Sequence, residues 1–250
     1  MLKKTLSGEL REQAGSNSYN RFEYQVYWIV YHMIQEFKNG KEFLVLCEFH
    51  DDMAQAKSMD CPNSLEFFQI KTCSTRKEWK IDHLFNKTKA KSHSFLGFIF
   101  YNFLKFGDEC DKCHFVSNIG MDNSIRIWQS VIEDNKKLKD THNHIYVDIQ
   151  NRIKNEYKND SILSKLNKNE FEELFDKFIQ NTYIYDGELP LKKYERIVLG
   201  EFIDAVSNEK LYISNSKKII EDIINQVREK SKRQIVMPIS LTRLKNEKGI

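Results

Sequence analysis

The runs Phe43-Leu44-Val45-Leu46-Cys47-Glu48-Phe49 and Leu65-Glu66-Phe67-Phe68-Gln69-Ile70-Lys71-Thr72 decide how this chain folds. The first is short, nearly continuously apolar and ended by Asp51-Asp52; the second follows the loop Asp60-Cys61-Pro62-Asn63-Ser64 and is made buried by Phe67, Phe68 and Ile70. That is the pattern of strands buried on both faces. Side chains alternate along a strand, so Gln69 and Lys71 share one face and Ile70 takes the other. If the two strands pair, Asp52 at the end of the first comes together with Gln69 and Lys71 in one small site.

Working outward, Gly15-Ser16-Asn17-Ser18 offers N-cap chemistry ahead of a helix over Tyr19–Phe37. There Phe22, Val26, Ile29, Val30, Met33, Ile34 and Phe37 recur at helical spacing, and Asn39-Gly40 closes the helix. Helical periodicity returns from about Ile81 to Phe106, and Cys113-His114-Phe115-Val116-Ser117-Asn118 reads as a third strand. Beyond about Ser124 come mainly polar helices, with Phe171, Leu174, Phe175, Phe178 and Ile179 on one face. A turn is expected at Tyr183-Ile184-Tyr185-Asp186-Gly187, and a last amphipathic helix carries Ile219, Ile220, Ile223, Ile224 and Val227. The expected class is α/β, a mixed central sheet flanked by helices over residues 1–122. A mainly helical extension follows over 123–250, a candidate region for partner docking or oligomerisation.

Composition narrows the function. With 40% hydrophobic and 30% charged residues in 250, the chain has material for a packed core. Lys and Arg number 39 against 36 for Asp and Glu, a net +3 that excludes a histone-like binder but leaves room for a local basic groove. Glycine is scarce and neither GxxxxGK[ST] nor GxGxxG occurs, which argues against a nucleotide-driven motor. Met1-Leu2-Lys3-Lys4-Thr5-Leu6 runs straight into polar sequence without a signal-peptide apolar core. The longest apolar run, Phe95 to Leu104, is broken by Asn102 and falls short of the roughly 20 residues a membrane span needs. Five scattered cysteines suit reduced thiols. A cytoplasmic protein with no membrane partner is expected.

Cys110-Asp111-Lys112-Cys113-His114 has the spacing of a haem-attachment motif, but attachment needs export, and a zinc site would need a second ligand pair. Neither is expected. His32, His83 and His93 are assigned surface or packing roles, as are Trp28 and Trp79; His50, beside the acidic pair, is placed to touch a substrate phosphate. Phe95, Phe98, Phe100, Tyr101 and Phe103 are assigned to the core.

Asp52, Gln69 and Lys71 together suit phosphodiester hydrolysis. Carboxylate and carbonyl oxygens hold Mg²⁺, which activates a water, and an ammonium group offsets charge developing on the phosphate. Lys71 is followed by a basic stretch, Arg76, Lys77, Lys80, Lys87, Lys89 and Lys91, that could track a phosphate backbone.

Asp followed by QxK on an adjacent strand resembles the PD-(D/E)XK nuclease superfamily, in the Mrr-like branch where Gln replaces the acidic member. The resemblance extends, in order, through Arg11-Glu12, Gly15, Phe22-Glu23-Tyr24-Gln25, Glu48-Phe49-His50-Asp51-Asp52, Phe68-Gln69-Ile70-Lys71-Thr72, Lys91-Ser92 and Phe115-Val116-Ser117-Asn118. Over about residues 11–122 the chain is similar to the double-stranded-DNA endonuclease domains of the CD-NTase-associated protein 4 family, effectors of CBASS antiphage defence. Related domains occur in Lamassu and HerA-helicase systems. The resemblance implies a restriction-endonuclease-like core, Asp52 as metal-binding acid, Lys71 as catalytic lysine, Gln69 at the acidic position and Gln25 on the supporting helix. Glu48 is a further ligand or supporting residue, and Asp51 stays open as the alternative to Asp52. It implies Mg²⁺ (or Mn²⁺), double-stranded DNA cut with low sequence specificity, and gating by self-association or by a defence partner. That partner would be a nucleotide-sensing module, an SMC-like ATPase or a HerA-type helicase. The competing expectation is a catalytically weak or inactive nuclease fold that binds DNA or docks a defence complex.

Overall fold

In a computed structural model, the structure describes residues 14–58, 62–87, 92–209 and 215–250. The chain opens with α1 (Ala14–Lys38), then β1 (Leu44–Phe49), β2 (Asp51–Ala56), β3 (Leu65–Lys71), β4 (Glu78–Trp79), α2 (Ile81–Leu84) and α3 (Phe95–Phe106). Next come β5 (Cys110–Ser117), β6 (Gly120–Met121), α4 (Asn123–Glu133), α5 (Leu138–Thr141), α6 (Asn143–Glu156), α7 (Lys168–Gln180) and β7 (Thr182–Asp186). The chain ends in α8 (Tyr194–Asn208), α9 (Ser216–Lys232) and α10 (Leu241–Lys248).

Among the described residues, five strands form one mixed sheet in the order β1-β2-β3-β5-β7. The β1/β2 and β2/β3 pairs are antiparallel, and β3/β5 and β5/β7 are parallel. This is the expected α/β sheet flanked by helices. On one face Phe67, Phe115 and Ile184 pack under α3, α4, α6 and α7, with Phe100, Trp128, Ile149 and Phe178 fully buried. On the other, Val45, Met53, Phe68, Ile70 and Val116 meet α1, α8 and α9. Each large side chain so buried contributes about 2–3 kcal/mol. Helix α9 is pinned to α1 by a two-pronged pair, Arg228 Nε to Glu23 Oε1 at 3.0 Å and Nη2 to Oε2 at 2.5 Å.

Three local readings need correction. Asp51-Asp52 does not simply end the first strand: it begins β2, the reversal being made at His50 in a hairpin so tight that Phe49 pairs with Asp51. The turn expected at 183–187 is instead strand β7, parallel to β5. Thr182 and Ile184 alternate inward there, and Gly187 ends the strand where a Cβ would lie 2.6 Å from Trp28 Nε1 and 2.7 Å from Val116. The sheet therefore draws its fifth strand from beyond residue 122. Finally, the helix expected over about 81–106 is two helices: α2, and an α3 that starts at the Ser94 cap, whose hydroxyl accepts from Gly97 N–H.

Candidate active site

The site is built where β2 and β3 leave the core. The register Met53↔Phe68 brings Asp52 opposite Gln69, so carboxylate, amide and the Lys71 ammonium emerge together. Asp52 Oδ2 accepts from Lys71 Nζ at 2.6 Å and from the Ile70 backbone N–H at 2.6 Å. On the helix side, Gln25 Nε2 donates to Ile70 O at 3.1 Å, fixing the end of β3 from α1. Glu48, His50, Asp51, Asp52, Gln69 and Lys71 line one open cleft of ≈ 320 Å³, together with Phe95 and Phe98 of α3.

Two features mark this cleft as more than a polar strand end. Glu48 and His50 hold φ of 50° and 62°, the left-handed region that residues with a Cβ seldom occupy and that tends to be kept at functional sites. In addition, Gln69 is 3% exposed and its Oε1 has no hydrogen-bond partner. An unpaired buried carbonyl is costly, so its retention calls for a reason.

The carboxylates crowd one another. Burial, then the negative charge of Asp52, pushes both Asp51 and Glu48 up to about 7. Asn102 Nδ2 donates to Asp51 Oδ2 at 3.1 Å, and Lys71 offsets part of the charge. In metal-free protein the folded chain therefore keeps protons here that the unfolded chain releases from about pH 4. Stability contributed by this pair falls as pH rises from about 4 through 7, then levels off. Asp51→Asn removes one of the two groups, so in EDTA its melting temperature should fall less between pH 5 and pH 8 than that of the wild type. Equal slopes would mean that Asp51 is not held protonated.

The central cleft continues on both sides. Through Lys71 and Phe95 it opens into a space of ≈ 400 Å³ lined by Arg21, Gln25, Arg76, Trp79, His83 and His93. Through His50, Asp51 and Phe98 it opens into a second, bounded by His93, Tyr101 and Asn102. Arg76 lies over the Trp79 ring at 5.1 Å, and Trp79 Nε1 is anchored to Ser117 Oγ at 2.8 Å.

Every residue expected at the chemical site, Asp52, Gln69, Lys71, Glu48 and Gln25, thus borders the same groove, with Asp51 beside Asp52. The basic stretch divides. Arg76 lines the groove; Lys77, Lys80 and Lys87 are exposed and do not line it; Lys89 and Lys91 lie outside the described residues, as do Arg11 and Glu12. Sequence reading missed Arg21, His93 and Asn102. Of these Asn102 left a visible signal, as the one polar break in an apolar run. Phe95 and Phe98, assigned to the core, also wall the cleft. Trp28 and Trp79 are buried, as expected of packing residues.

Among the described residues no three His, Cys, Asp or Glu side chains are grouped so as to hold a metal ion by themselves. None of the helices described there is long and apolar enough to cross a membrane.

Residues 13–231 match the sequence profile of the family described as Cap4, dsDNA endonuclease domain. No curated protein matches the chain. Among solved structures, the fold resembles a Cap4 receptor from Moraxella osloensis that contains a SAVED/CARF domain. The TM-score is 0.51 at 13% identity, over 84% of this chain and 43% of that one. At that identity the likeness is one of fold, and the chain spans less than half of the receptor.

Proposed function

Because the chain belongs to the family of Cap4 double-stranded-DNA endonuclease domains, we propose that it is a metal-dependent endonuclease that cuts duplex DNA with low sequence specificity as an effector of antiphage defence. The observation that carries the reading is the Asp52–Lys71 pair at 2.6 Å beside the unpartnered Gln69 carbonyl in one open cleft.

A divalent cation fits the residues present. Both hydrogen bonds to Asp52 fall on Oδ2, so its other oxygen, the Gln69 carbonyl and a Glu48 or Asp51 carboxylate make an all-oxygen set. Few protein ligands, completed by waters and phosphate oxygens, suit Mg²⁺ or Mn²⁺. When bound, such an ion polarises the phosphate and makes a coordinated water more acidic. The chain's own residues do the rest. Lys71 orients the attacking water and offsets charge growing on the phosphate. Gln25, through the Ile70 carbonyl, holds the strand end on which Lys71 stands. Phe95 and Phe98 keep one wall of the cleft dry, which strengthens these interactions.

The cations nearest the site, Arg21 and Arg76, suit phosphates. Arg21 and Arg76 together should hold the backbone beside the cut. Replacing both with Ala should weaken duplex binding about tenfold and flatten the salt dependence by roughly one to two counterions. Fluorescence anisotropy over a KCl series measures this, and an unchanged salt slope would remove both residues from the DNA path. An unspecific cutter needs restraint, so activity is gated by self-association or by a sensor partner of the defence system, and the helical second half is the proposed docking region. The functional test is plasmid cleavage by purified protein with its activating partner. Supercoiled DNA should be nicked and linearised in Mg²⁺ and spared in EDTA. Cleavage that persists in EDTA would sink the metal-dependent reading.

A further inference from the structure

His93 precedes the capping residue of α3 and stands at the junction of the two spaces that flank the central cleft. Its ring is fixed on three sides. It stacks face to face on Tyr157 at 4.5 Å and 6°, and Phe98 meets it edge-on at 5.5 Å. Its Nδ1 lies 3.2 Å from Glu156 Oε1, at the end of α6. Glu156 is itself locked: it accepts from Ser94 N–H at 2.7 Å and from Ser94 Oγ at 2.7 Å. The carboxylate approaches Gly97 so closely that a Cβ there would lie 2.1 Å from Glu156 Oε1 and would force the carboxylate to move.

A carboxylate can only accept, so Nδ1 carries the hydrogen. His93 lines both spaces, so Nε2 is the ring nitrogen left for a ligand bound there. Packing residues do not need a half-buried carboxylate built into a neighbouring helix to set their ring orientation. A ring that donates from Nδ1 to a carboxylate can bind a phosphate oxygen through Nε2 only when Nε2 also carries a hydrogen, so that contact comes with one proton taken from solvent.

Resting on the nuclease reading above, we propose that His93 is a substrate-contacting residue: its Nε2–H binds a phosphodiester oxygen one step along the strand from the cut. Glu156 is the positioning residue that holds the ring for that contact. The ligand class is a nucleic-acid phosphate; no bond forms between His93 and the DNA, and Nε2 takes up one proton from solvent as the phosphate binds.

The test measures binding of a short blunt DNA duplex in Ca²⁺, together with ring-nitrogen NMR of the full chain. His93→Phe keeps the stack on Tyr157 but removes both nitrogens. It should bind duplex about tenfold more weakly, as befits a lost charge-assisted hydrogen bond, without a large change in melting temperature. In wild type, adding duplex should move the His93 Nε2 resonance to that of a protonated, hydrogen-bonded nitrogen. In Glu156→Gln, which keeps an oxygen near Ser94 but removes the charge, that movement should be smaller and affinity intermediate. If wild type binds duplex and His93→Phe binds equally well with the Nε2 signal unmoved, His93 is a packing residue and the inference fails alone. If wild type binds no duplex at all, the nuclease reading falls and takes this inference with it.

Discussion

Lys71→Ala should reduce plasmid cleavage in Mg²⁺ by at least about a thousandfold while leaving duplex binding within a few-fold of wild type. Removing one preorganised electrostatic donor from an active site costs about 10²–10³ in rate. In the proposed reaction Lys71 would fill two roles, orienting water and balancing charge. Its Nζ is held at 2.6 Å from Asp52 Oδ2, and the Ile70 N–H on the same oxygen keeps that carboxylate in place once the lysine is gone. Loss of rate therefore cannot be assigned to a collapsed strand end. Binding should survive because Lys71 is only one of several cations on the groove. Three outcomes separate the readings. Wild type cutting and the variant not cutting places the chemistry at this site. Equal cutting by both moves the chemistry elsewhere. If neither cuts and both bind DNA, the chain is a nuclease-fold module that docks or binds without hydrolysis.

How much of this was legible in the sequence follows from where each signal lives. The β3 strand could be read from residues 65–72, because an apolar run fixes its own burial. Its QxK could likewise be placed on one face from alternation alone. The hairpin before it could not. Asp51-Asp52 has the composition of a turn, whereas the real reversal is made by His50; it and Glu48, two residues earlier, carry no turn signature and hold positive φ in the β1–β2 hairpin. Strand β7 was hidden for a related reason. Tyr183-Ile184-Tyr185 is too short to declare itself before Asp186-Gly187, and it is a strand only because β5 offers it a parallel edge. The groove shows the same division. Asp52, Gln69 and Lys71 sit on neighbouring strands, close enough for pattern to unite them. Arg21, His93 and Asn102 reach the groove from α1, from the start of α3 and from its middle, and only the packing of those helices on the sheet brings them there.

Gln69 is where stability and activity should separate most sharply. Its buried Oε1 lacks a hydrogen-bond partner, an arrangement that costs the folded chain about 1–3 kcal/mol. Met has nearly the same volume and no such oxygen, so Gln69→Met should raise the melting temperature of metal-free protein. For a chain of this size each recovered kcal/mol is worth about 2–4 °C. The same substitution should lower Mg²⁺-dependent cleavage at least about a hundredfold, because it deletes a neutral ligand from a set that has few others. A ligand that binds only the native state stabilises it, so under the proposed reading wild type should melt at higher temperature as Mg²⁺ is added, and Gln69→Met should not follow. Gln69→Glu should move the other way on both counts. A further carboxylate opposite Asp52 should depress the metal-free melting temperature, since burial and like charge already push Asp51 and Glu48 to about 7. With the cation present it should bind that cation more tightly. Differential scanning fluorimetry across a Mg²⁺ series, run beside cleavage assays, reads all three effects. A Gln69→Met variant that still gains stability from Mg²⁺ and still cuts would show that the orphan carbonyl is not a ligand. The cost of keeping it buried would then have to be explained by packing alone, which an isosteric methionine would satisfy better.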